Sequence, residues 1–283
     1  MTLGDEQYVS VKPKDKVLRK YIAYYYFNSS FEKGYTKKFI FYPHYKNALT
    51  VYKNGKIELV QNCSYAKPCL SQKYEIGYTG ILSEGQIVMI DAPFNKLGVV
   101  FQPLGINNFF SEPLSEIVLE TPILNFNYFG DEFINLLDMV FDTDHIEQKV
   151  DYLDYFFCSE LQPLNEQRII KAVSLLLEKD MPIQNVSGEL GINRKTLQRL
   201  FRRHLNCTPK AFATIVKFRR ALNLYQSKEQ KPQLTQFTYE NEYYDQSDFI
   251  KHFKKVTGFN PKKFFADISH LGSEDTFWTL LEN

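Results

Sequence analysis

Apolar residues in the last third of the chain recur every three or four positions, the spacing of α-helices that bury one face. The pattern occurs twice, in residues 183–204 and 234–256, as a short helical segment, a turn and a longer amphipathic segment. It predicts two helix-turn-helix units, each of which fits one segment of the DNA major groove. Two units on one chain could contact a DNA site without a two-fold partner.

The first unit carries the local signals of such a motif. Gly191 lies at the turn, where a positive φ is wanted and glycine adopts it without strain. Asn193 is then a suitable N-cap for the second helix. The core stripe of that helix is predicted at Leu197, Leu200, Phe201, His204 and Leu205. Its opposite face carries the side chains that suit bases and phosphates: Arg194, Lys195, Gln198, Arg199, Arg202 and Arg203.

The second unit repeats the plan, with Leu234, Phe237 and Tyr243 in its short helix. The core of its longer helix is predicted at Phe249, Ile250, Phe253 and Val256. The exposed side of that helix carries the polar and basic candidates Gln246, Ser247, Lys251, Lys254 and Lys255. Between the units, residues 209–226 predict one long helix with a Thr208 cap and proline at its first position, which would hold the two units at a constant spacing.

Together these segments resemble the DNA-binding domain of the AraC/XylS family of bacterial transcription regulators. The resemblance spans residues 165–266 and is carried by segments 191–201, 208–210, 218–222, 245–254 and 258–262. In that family the base-facing residues lie on the early turns of each recognition helix. By matching position, the resemblance implies base contacts from Lys195, Gln198, Arg199, Gln246, Ser247 and Lys251.

The second unit departs from the family pattern at its turn. Glu242 stands where the family usually has glycine, and Thr238 replaces the small residue of the preceding helix. Asn241 could adopt the left-handed conformation instead, which asparagine tolerates better than most residues. A carboxylate near the DNA face is unfavourable, so we expect the first unit to contact bases and the second to serve more as an anchor.

The distribution of charge agrees with a DNA-binding module. Residues 165–270 contain 19 Lys and Arg against 10 Asp and Glu, a net charge of +9. Residues 1–164 carry −5 and residues 271–283 carry −3, so the net charge of +1 conceals this asymmetry. Because counterions are released when lysine and arginine meet phosphates, DNA affinity is expected to fall steeply with salt.

The first half of the chain shows a different periodicity. Alternating apolar and polar residues separated by turns predict strands at 38–42, 48–52, 56–61, 74–82, 86–90 and 97–101, and Asn54 with Gly55 indicates a hairpin. Helical stretches follow at 106–110, 131–141 and 145–157. The predicted fold class is therefore α+β, with a small antiparallel β-barrel or sandwich and helices followed by an all-α domain with two helix-turn-helix motifs. The predicted domains are a regulatory domain (1–160), a DNA-binding domain (165–268) and an acidic tail (269–283) that packs on either domain or is loosely ordered.

Segments 18–21, 24–26, 43–55 and 99–105 resemble a domain often placed ahead of AraC-type DNA-binding domains. In the wider family this half is often a cupin-like barrel with helices that binds a small effector and can dimerise through those helices. The resemblance implies a small-molecule effector and a homodimer through residues 131–157, with packing inside the chain as the alternative. RNA polymerase is a further candidate partner, besides double-stranded DNA.

Several other classes of protein lack support in the sequence. No apolar run reaches the length of a membrane span, and the first residues lack the order of a signal peptide, so a cytoplasmic protein that joins the nucleoid with its DNA is expected. The cysteines Cys63, Cys69, Cys158 and Cys207 show no CxxC spacing and are expected as reduced thiols, with a Cys63–Cys69 redox switch as the alternative.

Candidate chemistry is sparse. Only His44 lies among the predicted strands, which does not make a metal-binding cupin set, so no metal or cofactor is expected. Since it follows Pro43, His44 is expected in a turn or on the surface. The aromatic run 24–27 either lines an effector pocket or supplies core to the barrel as an edge strand or helix. His204 and His252, in the recognition helices, either contact phosphate or pack at the helix boundary.

The sequence therefore predicts a sequence-specific DNA-binding transcription regulator controlled by its N-terminal domain. The alternative is a constitutive regulator or architectural DNA binder whose N-terminal half is a protein-interaction scaffold without an effector. An enzyme with a DNA-targeting module is the least supported, because no phosphate loop or GxSxG elbow is present. Activation and repression are both left open.

Overall fold

The computed structural model describes residues 5–61, 63–119, 121–179, 181–227, 246–270 and 277–281. Two sheets form its first part. Their strands are β1 (Gln7–Val11), β2 (Ile22–Ser30), β3 (Thr36–Phe41), β4 (Asn47–Lys53), β5 (Gly55–Val60), β6 (Cys63–Pro68), β7 (Tyr74–Thr79), β8 (Gln86–Asp91) and β9 (Phe94–Phe101), with β10 (Ser269–His270) and β11 (Phe277–Leu280) from the end of the chain. The strand orders are β1-β2-β9-β4-β7 and β10-β11-β3-β8-β6-β5. The pairings are antiparallel except that of β6 with β8.

Helices follow the strands. They are α1 (Leu114–Ile117), α2 (Gly130–Asp142), α3 (Ile146–Ser159), α4 (Gln167–Leu177), α5 (Ile183–Glu189), α6 (Arg194–Leu205), α7 (Pro209–Ser227), α8 (Gln246–Thr257) and α9 (Pro261–Asp267). The predicted α+β class, a two-sheet domain followed by a helical one, is confirmed.

All six predicted strands are present, but β1, β2, β6, β10 and β11 were not predicted. Most of β2 is buried on both of its faces, so the polar positions that reveal a strand by alternation are missing from it. The helical stretch expected at 106–110 is shorter, a single 3-10 turn at Ile106–Asn108.

One face of the five-stranded sheet packs against α2 and α3. Leu97, Val99 and Tyr25 from the strands meet Phe133 and Phe157 from the helices in one buried cluster. Phe157 stacks on Tyr25 with their ring centroids 6.4 Å apart. The apolar stripes of α2 and α3 are therefore buried within the chain itself. This agrees with the alternative prediction, packing inside the chain, for residues 131–157.

The first helix-turn-helix unit forms as its local signals predict. Gly191 has φ +62° at the turn between α5 and α6. The Asn193 side chain caps α6 by accepting from the Thr196 backbone N–H at 2.8 Å. The helix ends at Asn206, whose φ of 50° is left-handed. Thr208 Oγ1 then accepts from the Ala211 N–H at 3.1 Å, so the predicted cap of α7 is also present.

The second unit is described only from α8 onward. Its first helix lies outside the described residues, as do Thr238, Asn241 and Glu242, so the expected departure at the turn stays a prediction. Phe253 and Val256 of α8 pack with Phe218 of α7 and with Tyr42, which follows β3. This cluster joins the helical domain to the outer side of the six-stranded sheet.

The end of the chain returns to the N-terminal domain. Strand β11 pairs antiparallel with β3, and the Leu281 N–H donates to the Lys38 carbonyl at 2.9 Å. The hydroxyls of Tyr42 and Thr279 lie 2.6 Å apart in a buried hydrogen bond. The sequence left two possibilities for the tail, packing on a domain or loose order. Residues 277–281 pack on the N-terminal domain and cover an edge of its sheet.

The Cys63–Cys69 switch is a wrong prediction. The two residues flank β6, and the extended strand holds them about 20 Å apart. A disulfide needs Cα atoms within about 7 Å. Both thiols are free in this structure, as are those of Cys158 and Cys207. Among the described helices, none is long and apolar enough to cross a bilayer.

Candidate DNA interface and internal cavity

A continuous polar arc runs along α6. Its six predicted contact residues are all exposed: Arg194, Lys195, Gln198, Arg199, Arg202 and Arg203. The opposite side of the helix is buried through Leu197, Leu200 and Phe201 in the core of the helical domain. Because an amphipathic helix can turn only one side outward, packing of the apolar stripe presents the whole basic arc to solvent.

Helix α8 carries a second basic surface. Ser247, Lys251, Lys254 and Lys255 are exposed, while Phe249, Phe253 and Val256 are buried as predicted and Ile250 is half-buried. Gln246 begins this helix, and its side chain lies outside the described residues. The two basic helices are linked by α7, whose 19 residues span about 28 Å.

The two histidines of these helices are packed. His204 is 7% exposed, and burial, together with nearby Arg203, lowers its pKa. Burial and then Lys217 lower the pKa of His252 to about 4. Both imidazoles are therefore neutral at neutral pH, which favours packing over contact with a phosphate.

The C-terminal half of α6 also touches the N-terminal domain. Asn107 Nδ2 donates to the His204 carbonyl at 3.0 Å, and Asn206 Nδ2 donates to the Val118 carbonyl. An exposed ion pair joins Arg203 to Glu116 of α1 at 4.0 Å. Helix α6 is thus positioned by contacts with both domains.

A cavity of about 140 Å³ lies between the two sheets of the N-terminal domain. Its walls are mostly apolar and aromatic, with a few polar groups. The side chains that matter below are Tyr24, Tyr26, His44, Lys46, Asn47, Tyr52, Lys96 and Arg219. Ligand sites in proteins share this combination of an apolar lining and few polar groups.

The aromatic run 24–27 contributes to both the core and the cavity. Strand β2 lies between β1 and β9, so it is neither an edge strand nor a helix. Tyr25 and Phe27 face α2 and α3, whereas Tyr24 and Tyr26 face the cavity. Since neighbouring side chains of a strand point to opposite sides, the same four residues serve as core and as cavity wall.

Gly98 on β9 makes room for one of these rings. A Cβ at this position would lie 1.9 Å from a ring carbon of Tyr26, so only glycine accommodates the ring where it stands. Tyr26 also stacks on Tyr8, with centroids 5.8 Å apart, and its hydroxyl lies 3.3 Å from Thr50 Oγ1.

One end of the cavity holds a buried lysine. Lys96 is 7% exposed, and its Nζ lies 5.3 Å from the ring centroids of both Tyr26 and Tyr52. Neighbouring Lys37 instead forms a buried ion pair with Glu6 at 2.6 Å. Burial raises the pKa of Tyr52, so its hydroxyl is neutral at neutral pH.

The other end of the cavity meets the helical domain. Arg219 of α7 is 1% exposed, and its guanidinium donates to the carbonyls of Pro43 at 2.7 Å and Tyr42 at 2.9 Å. His44 lies in the same loop, in agreement with the expected turn, but it is 8% exposed and therefore does not lie on the surface. The docking of α7 covers this loop, and sequence periodicity carries no record of that contact. Asn47 Nδ2 donates to Tyr78 at 2.9 Å, which leaves its buried Oδ1 without a partner among the described residues.

Within the part of the chain that the structure describes, no cluster of three or more His, Cys, Asp and Glu side chains is placed to hold a metal ion. His44 has the Tyr45 ring beside it instead, with centroids 4.5 Å apart.

Comparison with known families bears on the helical part. Residues 186–267 match the family model described as a helix-turn-helix domain. This segment is an AraC-type helix-turn-helix domain. The match confirms the family resemblance of the C-terminal region, and a domain of this type supports DNA binding by that region.

The other comparisons, with curated sequences and solved structures, show only weak similarity. No curated protein matches the sequence significantly. The crystal structure of ToxT from Vibrio cholerae O395 is similar at 14% identity and a TM-score of 0.43, over 93% of this chain and 97% of that one. The structure of wild-type ToxT from Vibrio cholerae with a bound unsaturated fatty acid has 14% identity and a TM-score of 0.45, over 85% and 97% of the two chains. Likeness at this level supports no conclusion about a shared ligand.

Sequence analysis missed two charged residues that line the cavity, one at each end. Lys96 could have been found, because Lys96, Gly98 and Val100 alternate with the apolar Leu97 and Val99 along β9. Arg219 had no comparable signal, since an arginine in a basic helix is usually solvated and only the docking of α7 buries it.

Proposed function

We propose that the chain is a sequence-specific transcription regulator in which α6 and α8 enter successive major-groove segments and the cavity of the N-terminal domain binds a small-molecule effector. The observation that carries the DNA contact is the uninterrupted exposed arc on α6, opposite a fully packed apolar side. The length of α7, about 28 Å, is of the same order as one turn of B-DNA, about 34 Å.

The residues divide into two roles. Lys195, Gln198 and Arg199 contact bases from the early turns of α6, where glutamine suits adenine and arginine suits guanine. Phosphate contacts come from Arg194, Arg202 and Arg203. In α8 the corresponding base contacts are Gln246, Ser247 and Lys251, with Lys254 and Lys255 on the backbone.

Binding measurements with single variants test this division. On a site selected from random duplexes, Gln198→Ala and Arg199→Ala should each weaken binding by about 1–3 kcal/mol and relax the preference at one base pair. Arg203→Ala should weaken binding to all sequences and lower the salt slope by about one. Lys67→Ala is the charge-matched control, at a partly exposed lysine of β6 that pairs with Glu58 at 2.7 Å, and it should change neither. Unchanged specificity in both α6 variants would refute the base contacts.

The effector role is supported by where the cavity lies. A molecule in it would touch both sheets and, through Arg219, the helix that connects the two DNA-binding units. The buried Oδ1 of Asn47 offers a hydrogen-bond acceptor at the same end. Occupancy would therefore bias how the helical domain sits on the barrel, and with it DNA affinity.

A screen of small molecules against the full-length chain tests the effector. Binding should raise the melting temperature and change DNA affinity by a matching factor, since coupling between two sites is reciprocal. If ligands bind in the cavity without changing DNA affinity, the N-terminal half is a scaffold, as in the alternative of a constitutive regulator.

We also propose a homodimer, formed by the exposed side chains of α2 and α3 rather than by their apolar stripes. The apolar stripes of α2 and α3 are used internally, whereas Met139 is 47% exposed and Tyr155 is 80% exposed. If these side chains form the contact, Tyr155→Glu should make the protein monomeric in light scattering. RNA polymerase stays a candidate partner on the family resemblance alone.

A further inference from the structure

We propose that residues 277–281 form a terminal strap that positions the second helix-turn-helix unit on the N-terminal domain. The strap keeps α8 at a constant place relative to α6, so that both helices meet one DNA site together. The inference rests on the proposed contact of α8 with DNA. It assigns a role to residues beyond the AraC-type match, which ends at residue 267.

The terminal strap is tied to α9 and belongs to a sheet of the N-terminal domain. Only Ile268 lies between α9 and β10, and β10 pairs with β11 through Ser269 and Trp278. Strand β11 in turn pairs antiparallel with β3, and the Leu281 N–H donates to the Lys38 carbonyl at 2.9 Å. Backbone hydrogen bonds therefore join the end of the helical domain to strands of the N-terminal domain.

Tyr42, which follows β3, connects the terminal strap to two helices. Its hydroxyl lies 2.6 Å from Thr279 Oγ1, and its ring centroid lies 4.9 Å from that of Phe264 in α9. Its carbonyl accepts from the guanidinium of Arg219 in α7 at 2.9 Å. Tyr42 is 0% exposed and Thr279 is 4% exposed, so water competes little for these contacts. Three elements of the C-terminal part therefore converge on one residue of the N-terminal domain.

Helix α8 itself packs against the same sheet. The Gly85 N–H donates to the Val256 carbonyl at 2.9 Å, and Phe253 shares a buried cluster with Ile40 of β3. The opposite side of α8, with Lys251, is exposed. The sheet and the terminal strap therefore hold the second unit on its apolar side and leave the basic side open to DNA. This arrangement positions α8 and does not block it.

The first unit is held by different contacts. Asn107 donates to the His204 carbonyl and Asn206 donates to the Val118 carbonyl, and neither contact involves the terminal strap. Loss of the strap should therefore loosen the second unit alone. Because a loosely held element loses conformational freedom when it is ordered on DNA, the contribution of α8 to affinity should fall while that of α6 is kept.

Duplexes of two lengths test the terminal strap. The long probe is the site selected from random duplexes. The short probe keeps only the segment contacted by α6, which is the segment where Arg199→Ala relaxes the base preference. The parent should bind the long probe at least about tenfold more tightly than the short one. A chain that ends at residue 276 should bind the two probes within about twofold of each other, with its affinity for the short probe unchanged.

Single substitutions provide a milder variant and two controls. Thr279→Val removes the buried contact with Tyr42 and should lower the ratio of the two affinities by at least about twofold. The matched control Thr143→Val removes an exposed hydroxyl between α2 and α3 and should leave the ratio unchanged. Leu97→Ala should also leave it unchanged, because a smaller folded fraction weakens binding to both probes alike.

The outcomes separate the terminal strap from the proposed function. If the shortened chain keeps the ratio of the parent, whether or not both affinities fall, the strap is overturned and the contact of α8 with DNA stands. If the shortened chain does not fold, Thr279→Val decides, and an unchanged ratio in that variant overturns the strap. Equal binding of the two probes by the parent would refute both the DNA contact of α8 and the strap.

Discussion

The two faces of the five-stranded sheet are built for different purposes by the same strands. On the face toward α2 and α3, β9 places Leu97, Val99 and Phe101, each 0% exposed, in the largest buried cluster. On the other face Lys96 and Val100 line the cavity, and Gly98 between them lies under the Tyr26 ring. Alternation by one residue thus separates a surface that packs against helices from one that lines a cavity.

The difference shows how a small domain can keep a cavity that contains a few polar groups. The helix-covered face supplies apolar burial and close aromatic contacts, so the other face is free to hold a lysine, glycines and tyrosine hydroxyls. Substitutions on the two faces should therefore separate stability from ligand binding.

The largest expected effect is on the helix-covered face. Leu97→Ala should lower the free energy of unfolding by about 2–5 kcal/mol, because it opens a cavity in a packed core. Val100→Ala is the control on the same strand, and it should cost less since it enlarges a space that already exists. Urea unfolding measures both. Equal losses in the two variants would remove the distinction between the faces.

A smaller effect is expected at Gly98. Gly98→Ala places a methyl 1.9 Å from the Tyr26 ring, which has to move from its stack on Tyr8. Overpacking of this kind costs about 1–3 kcal/mol, and the displaced ring should also abolish ligand-dependent shifts in melting temperature. Gly188→Ala in α5, where no atom lies within 4 Å, is the control and should stabilise the protein slightly. Normal ligand binding by Gly98→Ala would contradict the assignment of the cavity.

The smallest losses of stability are expected for substitutions of Tyr25 and Tyr26, and the loss at Tyr25 depends on pH. Tyr25 donates to Asp154 Oδ1 at 2.9 Å, and burial raises the pKa of Asp154 above its usual value of 3.8. A carboxyl with a raised folded pKa lowers stability as pH increases, and loss of a donor raises that pKa further. Tyr25→Phe should therefore cost about 1.5 kcal/mol at neutral pH and less below about pH 4.

Tyr26→Phe is the control from the cavity face. It loses the 3.3 Å contact to Thr50, so its cost should stay near about 0.5 kcal/mol at every pH. Unfolding in urea across the pH range compares the two variants. A loss at Tyr25 that does not change with pH would mean that Asp154 does not titrate in the way its burial implies.

Local chemistry explains why the first helix-turn-helix unit was predicted closely. The glycine turn, the Asn193 cap and the helical spacing of α6 act within a few residues, so they operate wherever the segment is placed. The strands in the interior of the sheet were harder to predict. In β2 the burial of both sides removed the alternation on which strand prediction depends.

The candidate site residues differ in the same way in how well the sequence predicted them. The exposed residues of α6 were identified from the spacing of its apolar stripe. For the cavity, the sequence left open whether the aromatic run lines a pocket or packs in the core. In the structure Tyr24 and Tyr26 line the cavity, and Tyr25 and Phe27 pack in the core.

The sequence by itself determined the basic helices, their caps and the strands with clear alternation, because these follow from interactions between near neighbours. Tertiary structure alone decided that His44 and Arg219 are buried together, that residues 277–281 cover β3, and that Lys96 faces a cavity. The physical reason is that each depends on contacts between segments far apart in the chain, which local periodicity does not encode.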